Sequence, residues 1–212
     1  MLHPLLNYIL RLHNQYGLTK YDIITEKGEK WMDEVAVETF NMTGKFEDVN
    51  VMGLEPYENL TNCTAAPYAS YLLNKESMNE KDLNNAIDLI RLSEDQFTFW
   101  NTTPNEYGLR MMATPCVFEQ YKYQKPVDHS AHNVAMAFLD LYEKTGDKLA
   151  FAKAKALVDN MTIVQNKGNG QMPTTWDFRT PYHDSNRSFW TNCTYAAVTA
   201  LLRMAEITEN EK

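Results

Sequence analysis

The stretch ENLTNCTAAPYASYLL at residues 58–73 returns as RSFWTNCTYAAVTALL at residues 187–202. Four consecutive identities, Thr61-Asn62-Cys63-Thr64 against Thr191-Asn192-Cys193-Thr194, are followed at matching offsets by small residues and a Leu pair. A phrase written twice marks a structural repeat, and a repeat decides the architecture before any single element does. Thr and Asn are residues that open helices by capping exposed N–H groups, and the Ala-rich run behind them suits a helix packed closely on its neighbours. We therefore read TNCT as the entry to an inner helix of a layered helical array, with Pro67 near enough to the helix start to cost little.

Working outward, apolar residues recur at helical spacing through most of the chain. The periodicity predicts helices over 4–16, ended by Gly17, and over 29–42, where Trp31 and Phe40 read as core. Five more follow over 64–74, 80–99, 130–145, 148–164 and 192–206. Little convincing strand is predicted. The connections are unequal: 74–79 and 146–147 are tight turns, whereas 43–63, 100–128 and 165–191 are long. Since successive helices in a hairpin array alternate direction, the tight turns fall at one end and the long loops at the other. Long loops in a compact domain are usually functional. Each feeds a helix opening in small residues (TNCTAA, DHSAHNVAMA, TNCTYAA), whereas EKDLNNAIDLIRLSEDQ and DKLAFAKAKALVDNM carry their charge on one side, as an outer layer does. The expected fold is all-α, a toroid of helical hairpins with about seven helices, forming one domain over 1–212.

Composition restricts function. The 212 residues are 44% hydrophobic and 12% aromatic, enough for a full core, and the net charge of −8 with no Lys/Arg cluster disfavours nucleic acid and anionic membranes as partners. No apolar run approaches the ~20 residues a membrane helix needs, and no signal peptide is legible at the N-terminus. Cys63, Cys116 and Cys193 are too few and too scattered for a disulfide framework or a zinc site, and are expected unbridged. No cofactor and no metal are expected. His129 and His132, three apart, form a pair without further ligands and read as polar packing. The seven Asn-x-Ser/Thr triplets, two of them inside TNCT, read as turn chemistry.

The segments GLEPYENLTNCTAA, CVFEQYKYQKPVDHSAHNVAMAFLDLYEKTGDKLAFAKAKALVDNM and GNGQMPTTWD, with FWTNCTYAAVTALL after it, together resemble the six-hairpin glycosidase superfamily, the (α/α) toroids of glucoamylases and unsaturated glucuronyl hydrolases. The phrase TGDKLAFAKAKAL looks like an outer helix of those proteins, and DHSA is similar to the Asp-x-Ser-Ala entry to one of their inner helices. The resemblance begins near Met42 and implies a carbohydrate-active protein. A closed ring of six hairpins would need nearly twice this length, so the chain looks like the C-terminal half of such a barrel, with a second copy as one way of completing the toroid. Larger relatives are often periplasmic or secreted, which leaves localisation open.

Glycoside hydrolysis needs two carboxyl groups about the scissile bond and aromatic faces for the sugar to stack on. Each long loop supplies both. The first holds Glu55 and Glu58 around Tyr57. The second holds Glu119, a candidate general acid beside Phe118, with Tyr121, then Asp128 and His129. The third holds Trp176, Asp177 and Trp190. Glu55, Glu58, Glu119 and Asp128 are the candidate catalytic carboxylates, and Tyr57, Tyr121, His129, Trp176, Asp177 and Trp190 the candidate contacts to an oligosaccharide or polysaccharide. Asp128 also has a plain structural reading, as the cap of the helix that follows it. A noncatalytic helical module binding glycan or a partner protein is the alternative function.

Overall fold

The computed structural model of the chain describes residues 3–38, 65–101, 114–119, 126–176 and 187–210. Among them lie seven α-helices: α1 (His3–Tyr16), α2 (Asp22–Trp31), α3 (Ala65–Leu73), α4 (Glu80–Phe97), α5 (Asp128–Thr145), α6 (Lys148–Ile163) and α7 (Thr191–Asn210). They pair as hairpins. α3 packs on α4 and α5 on α6, while α1, α3, α5 and α7 lie side by side as an inner layer. The all-α architecture expected from the repeat, part of a toroid of helical hairpins, is what forms.

The inner helices are built from small residues for the reason the repeat implied. Ala65, Ala66 and Ala69 on α3, Ala131, Ala135 and Ala137 on α5, and Ala196, Ala197 and Ala200 on α7 are all buried, which lets neighbouring backbones approach. Larger side chains fill the space between layers. Tyr68, Tyr71, Leu72, Leu89, Leu139, Leu157 and Met161 are almost completely enclosed.

The tight turns carry the signals expected of them. Asn79 accepts from the Asp82 N–H at 3.0 Å while the Asp82 carboxylate accepts from the Asn79 N–H at 3.1 Å, a reciprocal cap that starts α4. Gly146 ends α5 at φ 73°, a left-handed conformation that a Cβ disfavours, and its N–H reaches Tyr142 O at 2.7 Å. Asp147 then caps α6 through the Leu149 N–H at 2.8 Å.

Three expectations are corrected. The second helix starts at Asp22, seven residues early, and passes into a π-helical turn over Met32–Val37. Trp31, expected in the core, is 48% exposed. The reason for both is that the inward stripe of α2 is mostly polar. Met32 is buried and Gly28 sits against the core, but between them Glu29 accepts from the Tyr71 hydroxyl, and Asp33 accepts from the Tyr68 hydroxyl at 3.2 Å. Apolar periodicity cannot register such a stripe. Phe40 lies outside the described residues.

The third correction concerns strand. Four two-residue strands, β1 (Thr98–Phe99), β2 (Cys116–Val117), β3 (Thr175–Trp176) and β4 (Arg187–Ser188), form at the long-loop end, with β1 antiparallel to β2 and β3 antiparallel to β4. Bridges from Phe118 to Pro126 and from Val127 to Thr175 tie these pairs into one strip. Segments this short carry no period-2 pattern, because tertiary pairing and not local preference makes them extended.

Candidate functional site

The strip of short strands joins the second and third long loops across the N-terminal ends of α5 and α7. The first long loop, 43–63, with Glu55, Tyr57 and Glu58, lies outside the described residues, as do Tyr121 and Asp177. Of Trp176 the structure gives the backbone register, paired with Arg187.

Asp128 is the first residue of α5 and is 3% exposed. It does not occupy the cap position: Val127 does, without a side-chain cap, so the structural reading of Asp128 as the cap fails. Its backbone N–H donates to Thr174 O at 3.2 Å, while the Val127 N–H donates to Val117 O at 2.9 Å. Asp128 is thus clamped between two loop segments. Continued by two residues, the register from the Phe118–Pro126 bridge brings Cys116 opposite Asp128. Burial pushes the Cys116 thiol up to about 12, with the Asp128 charge adding to the effect.

Glu119 lies two residues beyond β2 and is also buried. Its charge and that of Asp128 both act on Cys193, in the first turn of α7. The Cys193 thiol is held above its ordinary value first by burial, then by Asp128 and Glu119, against the opposing hydrogen bonds from Thr174 and the His129 backbone. Glu119, Asp128, His129, Thr174 and Cys193 therefore share one neighbourhood at the loop end. Among the described residues Cys116 and Cys193 are free, as expected, and both are buried, whereas Cys63 lies outside those residues.

His129 is half-buried, and desolvation lowers its pKa. Its Nδ1 lies 3.3 Å from Asn133 Nδ2, one turn along α5, so the amide donates to an unprotonated nitrogen. His132 stands with its ring centroid 6.1 Å from that of His129 and is pushed down to about 4, chiefly by burial and secondarily by His129. A backbone hydrogen bond with Ala196 opposes the shift, linking α5 to α7. Among the described residues no group of three or more His, Cys, Asp or Glu side chains is placed to hold a metal ion.

Trp190 stands at the edge of this neighbourhood, 51% exposed. Its backbone is fixed although its ring is open. The N–H donates to Thr174 Oγ1 at 2.8 Å, and the carbonyl accepts from the Cys193 N–H at 3.1 Å as α7 begins. Trp100, by contrast, is an anchor: its ring lies 6.1 Å from Phe138 and packs against the core.

Thr174 is the residue that sequence reading missed. Through its carbonyl it positions Asp128, and through its hydroxyl Trp190, and nothing in GQMPTTWD distinguishes it from its neighbour Thr175. Thr194, the last residue of the second TNCT, does not cap its own helix. Its Oγ1 accepts from the Met172 N–H at 3.1 Å, stitching the third long loop to α7.

The fold is shared with a solved structure. A glycoside hydrolase of family 105 from C. acetobutylicum ATCC 824 matches 97% of this chain with a TM-score of 0.63. The fold is glycosidase-like. Identity over the match is 13%, and the chain spans 56% of that protein. No family model and no curated protein matches the sequence.

Proposed function

We propose that the chain is a carbohydrate-active protein whose loop end binds an oligosaccharide, with Trp190 as a stacking platform and Asp128 and Glu119 as the carboxyl groups beneath it. One observation carries the reading: two buried acids and a backbone-fixed but exposed tryptophan are brought together by the same strip of loop strands, with Thr174 bonded to the segments on both sides. An exposed indole with a fixed backbone has a low conformational cost on stacking, and paired acids are the residue type that glycosidic bond cleavage uses. The fold shared with a glycoside hydrolase of family 105 supports this reading. Neutral His129, whose Nδ1 accepts from Asn133, keeps its Nε2–H as a donor for a sugar hydroxyl.

Within it Asp128 and Glu119 divide the acid and the nucleophile or base roles. Glu55, Glu58, Tyr57, Tyr121, Trp176 and Asp177 are further candidates from the same three loops. A noncatalytic glycan-binding module is the second reading; the chain spans 56% of the hydrolase it matches.

Tryptophan fluorescence titration and a reducing-end assay over a panel of plant and host oligosaccharides test both readings. Trp190→Ala is expected to weaken binding by about tenfold, roughly 1.4 kcal/mol. Asp128→Asn and Glu119→Gln are expected to stop turnover while binding survives. Binding without turnover by the wild-type chain selects the module, and absence of binding across the panel removes the carbohydrate reading.

A further inference from the structure

The exposed apolar residues are not spread evenly. Of the fourteen large hydrophobic side chains that are exposed among the described residues, seven lie between Leu5 and Trp31 and four between Trp190 and Leu202; the elements between carry only Phe99, Leu149 and Ile163. The two ends of the arc are thus the apolar ends. In the inner layer those ends are α1 and α7.

The two helices present matching stripes. On α1 the stripe is Leu5, Tyr8, Leu12 and Tyr16; on α7 it is Tyr195, Val198, Leu202 and Glu206. Both advance by three, four and four residues, the spacing of one continuous helix face. On α1 this face lies about a quarter turn from the buried Leu6 and Ile9, at 100° per residue, which is the flank that an inner neighbour would cover. On α7 it faces away from the buried Ala196 and Ala200.

We propose that a second copy of this chain is the occupant of both faces, with α1 of each protomer packed in parallel and in register on α7 of the other, so that two arcs close one ring. Inner helices of a hairpin array all run the same way, so a ring closed around a two-fold axis sets α1 and the partner's α7 parallel. Leu5 then meets Tyr195, Tyr8 meets Val198, and Leu12 meets Leu202. At the far end Lys20 stands beside Glu206 and Glu209, all three exposed, so a cation faces the acids of a chain whose net charge is −8. Apolar stripes this long are seldom left in water.

Light scattering and sedimentation over a nanomolar-to-high-micromolar series read the association. A dimer is expected, and Tyr8→Glu and Leu202→Glu should each weaken it by at least about tenfold. Helicity and thermal midpoint, compared with wild type at concentrations where all are monomeric, should stay unchanged, since both side chains are exposed in the single chain. Charge reversal tests the register. A Lys20→Glu chain and a Glu206→Lys/Glu209→Lys chain should each dimerise poorly alone, yet form a mixed dimer in which both interfaces carry opposite charges. A chain monomeric at every concentration overturns the proposal. So does a dimer that Tyr8→Glu and Leu202→Glu leave intact, or a charge-reversed pair that does not recover association. A lone monomer that binds only a different helical polypeptide overturns it too.

Discussion

His132 shows how a single residue reports the packing of two inner helices. It sits on α5 against the start of α7, and burial holds its pKa near 4 against about 6.5 in the unfolded chain. A histidine depressed in the fold binds its proton more readily when unfolded. Its contribution to stability is therefore complete above about pH 6.5 and is lost as pH falls towards 4. The loss is on the order of 3 kcal/mol at most, and His129, lowered in the same direction, adds to the slope. Urea unfolding at pH 7 and at pH 4.5 should show this drop, and His132→Gln should flatten it; an equal drop in the variant would mean that carboxylates account for all of the acid sensitivity.

At the scale of elements, short-range signals placed most helix ends to within two residues. Asn79, Gly146 and Asp147 act locally, through hydrogen bonds to residues within four positions, so their effect is written in neighbouring letters. Asn79→Ala removes the acceptor for the Asp82 N–H and should cost about 1 kcal/mol, seen as a lower urea midpoint at unchanged slope. α2 is the counter-case. Its inward stripe is chosen by the Tyr68 and Tyr71 hydroxyls and by Lys75, whose Nζ lies 3.4 Å from Glu29 and 3.0 Å from Asp82, so its orientation depends on residues far along the chain. A hydrophobic pattern reader puts Trp31 inside because it cannot see the phenols waiting for carboxylates.

The whole molecule depends on how its last inner helix is attached. Arg203 on α7 reaches Asp140 on α5 at 3.0 Å and also binds Glu143. Asp140 is 4% exposed, and burial, the largest influence, raises its pKa even with the guanidinium beside it. Removing the cation strands a buried carboxylate, which typically costs a protein about 3 kcal/mol. In Arg203→Met, hydrogen exchange should therefore quicken across α7 while α3 and α4 keep their protection; uniform exchange across all helices would show that α7 does not open separately.

What the sequence determined by itself is the repeat, the helical periods, the small-residue inner layer and the loop-end location of acids and aromatics, because each rests on residues close in the chain or on a phrase written twice. Only tertiary structure decided that Asp128 is clamped between loop segments and not a cap, that Trp190 is open while Trp100 is an anchor, and that Thr174 ties the two loops together. Those outcomes come from contacts between segments distant in the chain, such as the hydrogen bonds of Asp128 and Trp190 to Thr174, 46 and 16 residues away, and the free energy of such a pairing is not encoded at either partner alone.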